Sequence, residues 1–203
     1  VLTTSVAGLG TGLSLIIAIG AQNAYVLRQG ILRSHVLAVV AVCALSDVVL
    51  IAAGVGGIGA AVDRAGVLLD VVRWFGVAFL LWYAVQSLRR ARHAEALSTN
   101  GTPAPESRRR VVGRAVALTW LNPHVYLDTV LLLGSIAATH DDVAGGRWWF
   151  ALGAAVGSIV WFTGLGFGAR LLAPALTRPR AWQVLEVCIA ATMIAVALQL
   201  AVG

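Results

Sequence analysis

Lysine is absent from this sequence and charge of any sign is sparse: fifteen arginines and nine acids make up 12% of 203 residues, while 59% are hydrophobic. Soluble globular domains carry about twice that share of charge, so a water-facing surface cannot be built from this chain. Polar stripes of helical period are missing too, as Val36 to Leu45 and Val125 to Ala138 show, which excludes an amphipathic soluble bundle. The only two cysteines, Cys43 and Cys188, each sit in an apolar run and read as small buried hydrophobes, not as a disulfide. His35, His93, His124 and His140 are scattered and have no nearby thiol, so neither a metal site nor a cofactor is expected. Ser46 with His124 lacks the glycine-flanked elbow of a hydrolase, and no enzyme is expected. No basic n-region or small-residue cleavage site precedes Arg28, so the first apolar run is expected to be retained.

What the chain does have is length in its apolar runs. Six of them, roughly 3–27, 35–62, 66–88, 111–138, 148–171 and 182–202, are each long enough to cross a hydrocarbon core of about 30 Å as a helix. Twelve arginines then fall on one side: Arg28, Arg33, Arg89, Arg90, Arg92, Arg108, Arg109, Arg110, Arg114, Arg170, Arg178 and Arg180. Arg64, Arg73 and Arg147 share the other side with Asp63, Asp70, Asp141 and Asp142. The positive-inside rule places the twelve in the cytoplasm and both termini outside. Topology accounts for the basic charge, leaving no reason to invoke nucleic acid. The tryptophans (Trp74, Trp82, Trp120, Trp148, Trp149, Trp161 and Trp182) lie mostly near span ends, as in an aromatic belt, with only Trp120 beside the breaks described next.

A Ser, Thr, Pro and Glu-containing stretch at 94–107 divides the chain into segments 1–93 and 108–203, each with three spans. Three is odd, so the halves have opposite topology. The expected fold is all-α and membrane-integral, with six transmembrane helices in two inverted three-helix repeats and with helices one and four broken. The breaks are read at Gly20-Ala21-Gln22-Asn23 and at Asn122-Pro123-His124. Proline disfavours helix at the residue before it and asparagine caps well, so a half-helix should restart at Pro123. Free amides on His124, Val125 and Tyr126 would then suit an anion. A plain proline kink is the structural counterpart of that reading. Strict inversion maps Asn122 nearer Gly8 to Gly12, a cluster that reads as a helix-packing surface.

Asp47 lies near the middle of span two and Asp128 in span four, where a carboxylate costs about 2.5 kcal/mol or more to insert. Neither has an arginine at its depth, which leaves room for a substrate cation or a proton. Asp70 and Arg73, three apart, read as a local ion pair near the outer end of span three, and Glu186 as a shallow interfacial acid; the three are also candidates for a gate. His124 is placed to bind substrate, to shuttle protons or simply to pack.

The stretches Gly20-Ala21-Gln22-Asn23-Ala24-Tyr25-Val26-Leu27-Arg28-Gln29-Gly30 and Thr119-Trp120-Leu121-Asn122-Pro123-His124-Val125-Tyr126-Leu127-Asp128-Thr129, with Ser46-Asp47, resemble the LysE family of lysine and arginine exporters. The resemblance implies a multi-pass protein of the bacterial cytoplasmic (inner) membrane that exports L-lysine or L-arginine. Driving one positive charge outward against 100 mV costs about 2.3 kcal/mol, so exchange for a proton is the expected coupling. Substrate contacts are expected at Gln22, Asn23, Asp47, Asn122, Pro123, His124, Tyr126 and Asp128, with Asp47 and Asp128 also carrying protons. Neutral amino-acid export and a passive cation channel remain as alternatives. A homodimer is expected through small-residue faces such as Gly54 to Gly57 and Gly153 to Gly157.

Overall fold

A computed structural model describes residues 1–17, 20–58, 66–92, 106–140, 145–176 and 179–202. Most of the 94–107 divider, with Asp63, Arg64, His93, Asp141, Asp142 and Arg178, lies outside these. Among the described residues all regular structure is helical, as lipid demands of a backbone that must satisfy its own hydrogen bonds. In chain order the helices are α1 (Leu2–Ile16), α2 (Ala21–Leu32), α3 (Val36–Ala53), α4 (Gly66–Arg92), α5 (Arg108–Trp120), α6 (Pro123–Ala138), α7 (Gly146–Gly168) and α8 (Pro179–Val202).

Four stretches are long and apolar enough to cross a bilayer unaided: Val36–Gly57, Asp70–Arg92, Gly146–Leu172 and Arg180–Val202. Two further crossings result if each bent pair counts as one span, α1 with α2 at 85° and α5 with α6 at 60°. The bends fall where the sequence places its breaks. Outward faces are apolar, with Leu37, Leu45, Trp74, Phe75, Val184 and Leu198 all exposed, the reverse of a soluble surface and the mark of a lipid-facing one. Cys188 is among the exposed residues, so the expected burial holds for Cys43 alone; neither forms a disulfide.

Packing follows the small residues. α1 runs along α7, and a Cβ on Gly8 would strike the Phe150 backbone while one on Gly12 would meet Ala154. The Gly8 to Gly12 cluster is thus a helix-packing surface. Gly153 faces the Ser5 carbonyl and Gly54 approaches Val130, so the faces expected to pair two copies are mostly consumed within one chain. Close helix contact without a hydrophobic driving force requires such residues, and an intramolecular neighbour meets the need first. One core gathers Tyr25, Tyr83, Leu118, Phe162 and Met193, and a second gathers Ile51, Leu133, Phe150 and Ala154.

Two π-helical stretches interrupt the regular geometry. Gly54–Ile58 extends α3, and Tyr126–Leu132 forms the middle of α6. They cross at Gly54, where a Cβ would stand 2.7 Å from the Val130 carbonyl oxygen. Wide turns of this kind shift the register of the side chains that follow and concentrate at functional sites.

Candidate functional site

Cys43, Ser46 and Asp47 recur at spacings of three and four, so they share one face of α3. That face meets both breaks. Gln22, at the start of α2, and Thr119, at the end of α5, reach the Cys43 thiol. The Trp120 indole donates to Ser46 Oγ at 3.0 Å, and Ser158 of α7 donates to Asp47 Oδ2 at 2.7 Å. Asp47 is only 6% exposed, and no cation pairs with it among the described residues. A buried carboxylate held by one neutral hydroxyl is left short of the compensation its charge requires.

The second break forms as the sequence predicts. Asn122 is extended, its Oδ1 accepts from the His124 amide at 3.2 Å, and α6 restarts at Pro123. The expected free amides are not free, however. Val125 donates to the Asn122 carbonyl at 3.1 Å and Tyr126 to the Pro123 carbonyl, so all three amides are satisfied internally. The cause is the asparagine itself: the side chain that makes it a good cap occupies the donor an anion would have used. Tyr126 spans the joint through a 2.8 Å bond from its hydroxyl to the Trp120 carbonyl.

Asn23 does the corresponding work at the first break. Its Nδ2 donates back to the Ile16 carbonyl at 2.7 Å, and its Oδ1 accepts from Trp161 Nε1 at 3.2 Å. Ser158 and Trp161 escaped the sequence reading, which kept every tryptophan but Trp120 away from the breaks. Their spacing of three within the glycine-rich, apolar α7 was the available signal. Two polar nitrogens at the breaks remain buried without an oxygen acceptor: Gln22 Nε2, which has only the Cys43 thiol in reach, and His124 Nε2. Asp128 lies one turn beyond His124, half-buried and within electrostatic reach of its ring, in the π-helical stretch that packs on α3. Partly compensated carboxylates and buried polar nitrogens around two broken helices are the chemistry that polar-solute sites within membranes use.

Residues 13–203 match the family model for LysE type translocators. The chain belongs to that family. The translocator is therefore a multi-pass membrane transporter and not an enzyme. It is 45% identical over 185 residues to "Putative amino-acid transporter Mb0498" of Mycobacterium bovis, covering 91% of this chain and 90% of the relative. The same figures hold for "Putative amino-acid transporter Rv0488" of Mycobacterium tuberculosis. No solved structure matches the translocator.

The three gate candidates separate in the structure. Asp70 and Arg73 form no ion pair among the described residues; Asp70 is exposed, while the Arg73 guanidinium turns to the Leu200 and Ala201 carbonyls. An arginine beside the open carbonyls at the end of α8 finds orientated acceptors there, which an exposed carboxylate does not match. Glu186, read from the sequence as a shallow interfacial acid, is completely buried within the protein. Arg28 reaches it at 2.8 Å, Arg90 at 3.1 Å and the Ser87 hydroxyl at 2.6 Å. These contacts tie α2, α4 and α8 together at the arginine-rich end of the translocator. Sequence separations of 158 and 96 positions hid them.

Proposed function

We propose that this translocator is a secondary active exporter of basic amino acids, L-lysine or L-arginine, working by exchange for protons. The observation that carries the reading is Asp47: a buried carboxylate whose partner is a neutral hydroxyl and which no described arginine neutralises. A substrate ammonium or guanidinium supplies the missing charge in one half of the cycle, and a proton supplies it in the other. Asp128, on the π-helical stretch facing α3, is the second acid in this exchange. The buried nitrogens of Gln22 and His124 are the donors proposed for the substrate carboxylate, taking the part that the capped amides after Pro123 cannot. Asn23, Asn122, Pro123 and Tyr126 shape the site by holding the two joints. The relatives' names support an amino-acid substrate, and the resemblance in both break motifs supports the basic class.

The bent pairs open the two halves of the chain, which supports an inverted-repeat arrangement with the site between repeats. The arginine distribution supports a bacterial cytoplasmic membrane location, with the central loop inside and both termini outside. In that orientation the Arg28–Glu186–Arg90 cluster closes the cytoplasmic side, and Glu186 is its gating acid.

Purified protein in liposomes loaded with radiolabelled arginine tests the proposal. Efflux that saturates, accelerates with an inward proton gradient and is lost in Asp47→Asn and Asp128→Asn is the expected result. Arginine movement indifferent to the gradient refutes proton coupling. If threonine or homoserine moves and arginine neither moves nor competes, the substrate is neutral. Flux without saturation or counterflow indicates a channel.

A further inference from the structure

At the arginine-rich end, Arg33 and Arg170 both line a cavity of about 450 Å³ completed by Gly30, Val36, Gly166 and Phe167. The geometry arises from a backbone crossing. Gly30 lies so close to Gly166 that a Cβ on it would strike the Gly166 carbonyl oxygen and the Ala169 side chain. Arg33 follows Gly30 by three residues and Arg170 follows Gly166 by four, so each arginine rises one helical turn beyond the crossing.

No acid lines this cavity. The ion pairs among the described residues employ Arg28, Arg90 and Arg114, and neither Arg33 nor Arg170 takes part. Glu106, held close to His35 by its carbonyl, is already paired with Arg114 at 2.5 Å. Arg33 is also held in the left-handed region, at φ 52°, a place that helix ends usually give to glycine or asparagine. An arginine kept there against its backbone preference directs attention to what its side chain does. Beside each arginine the chain presents apolar surface: Leu32 and Leu37 flank the first, Leu171 and Leu172 the second, and all four are exposed.

We propose that this cavity binds the phosphate of an anionic phospholipid, its phosphoryl oxygens clasped by Arg33 and Arg170 and its acyl chains lying on the four leucines. Guanidinium forks match phosphate oxygens in pairs, and two uncompensated charges favour an anionic over a zwitterionic headgroup. The leucines distinguish the lipid from free phosphate, which has no use for them.

Delipidated protein in detergent is titrated with phosphatidylglycerol, phosphatidylcholine or inorganic phosphate alone, with bound ligand counted by native mass spectrometry and thermal stability as the second readout. Phosphatidylglycerol is expected to bind and stabilise, and the other two to do so far more weakly. Arg33→Gln with Arg170→Gln should weaken phosphatidylglycerol binding about thirty-fold, from the typical contribution of two membrane-surface charges. Arg33→Lys with Arg170→Lys keeps the charge without the fork and should bind between the two, which guards against misfolding of the glutamine pair. Arg108→Gln with Arg109→Gln, outside the cavity, should leave binding unchanged. Unchanged binding in the Arg33 and Arg170 glutamine pair, or an equal loss in the Arg108 and Arg109 control, overturns the site. Inorganic phosphate binding as tightly as phosphatidylglycerol overturns the lipid assignment.

Discussion

Replacing Glu186 by glutamine removes the one negative charge from a cluster containing two arginines. The Arg28 side chain is 7% exposed, so its charge is left buried with its 2.8 Å partner gone. Breaking a buried ion pair in this way costs about 3–5 kcal/mol. Arg90, 24% exposed, can turn toward water and adds less than about 1 kcal/mol. A loss near 4 kcal/mol is expected for Glu186→Gln, a large part of the 5–15 kcal/mol typical of folded domains. Reversible unfolding in mixed micelles of mild detergent and dodecyl sulfate, followed by circular dichroism, measures it. The informative comparison is Arg28→Met with Glu186→Met, which removes both buried charges and should cost less than about 2 kcal/mol. A Glu186→Gln cost under about 1 kcal/mol, or a methionine pair no better than the single change, would refute the claim that uncompensated charge sets the penalty.

Asn122→Ala deletes the cap on α6 and should cost about 1 kcal/mol in the same unfolding assay, while Asn122→Ser, which keeps a neutral acceptor, should cost less. Gly54→Val forces a side chain against the Val130 carbonyl and is expected to destabilise by about 1–3 kcal/mol; no loss of stability would mean that the π-helical stretches are not in close contact. Ser158→Ala removes the hydroxyl donor to Asp47, a bond to a charged group worth about 1.5–3 kcal/mol, so half-maximal arginine efflux should shift about tenfold or more in concentration. Trp161→Phe keeps the ring but loses the donor to Asn23, and should lower stability by about 1 kcal/mol with no change in the proton dependence of efflux.

The membrane class and the helix breaks were legible in the sequence because each rests on local chemistry. Apolar runs of sufficient length have few options in lipid, and Asn122-Pro123 dictates its own cap and restart. The failures came where a partner lies far along the chain. Asp70 and Arg73 pair well on a helical wheel, yet the end of α8 offered Arg73 better acceptors 127 positions away. Glu186 gave no sign of its buried cluster because its arginines stand on two other helices, and Ser158 none of Asp47 from 111 positions off. The supposed anion-binding amides failed for another reason: the residue that creates the helix start also fills it.

The grip of α7 on the first bent pair has a mechanical consequence. Near its start it is locked to α1 through Gly8, Gly12 and Gly153; in its middle Trp161 holds Asn23; near its end Gly166 lies on Gly30 of α2. A lever riveted to one beam at both ends and at its elbow does not swing. The 85° elbow can therefore change only if one of those backbone crossings comes apart. The 60° elbow carries fastenings of its own: Tyr126 bonds back to the Trp120 carbonyl, Trp120 to Ser46 of α3, and Gly76 of α4 lies against the Leu121 carbonyl. A change of angle in either bent pair therefore parts a contact made by a third helix.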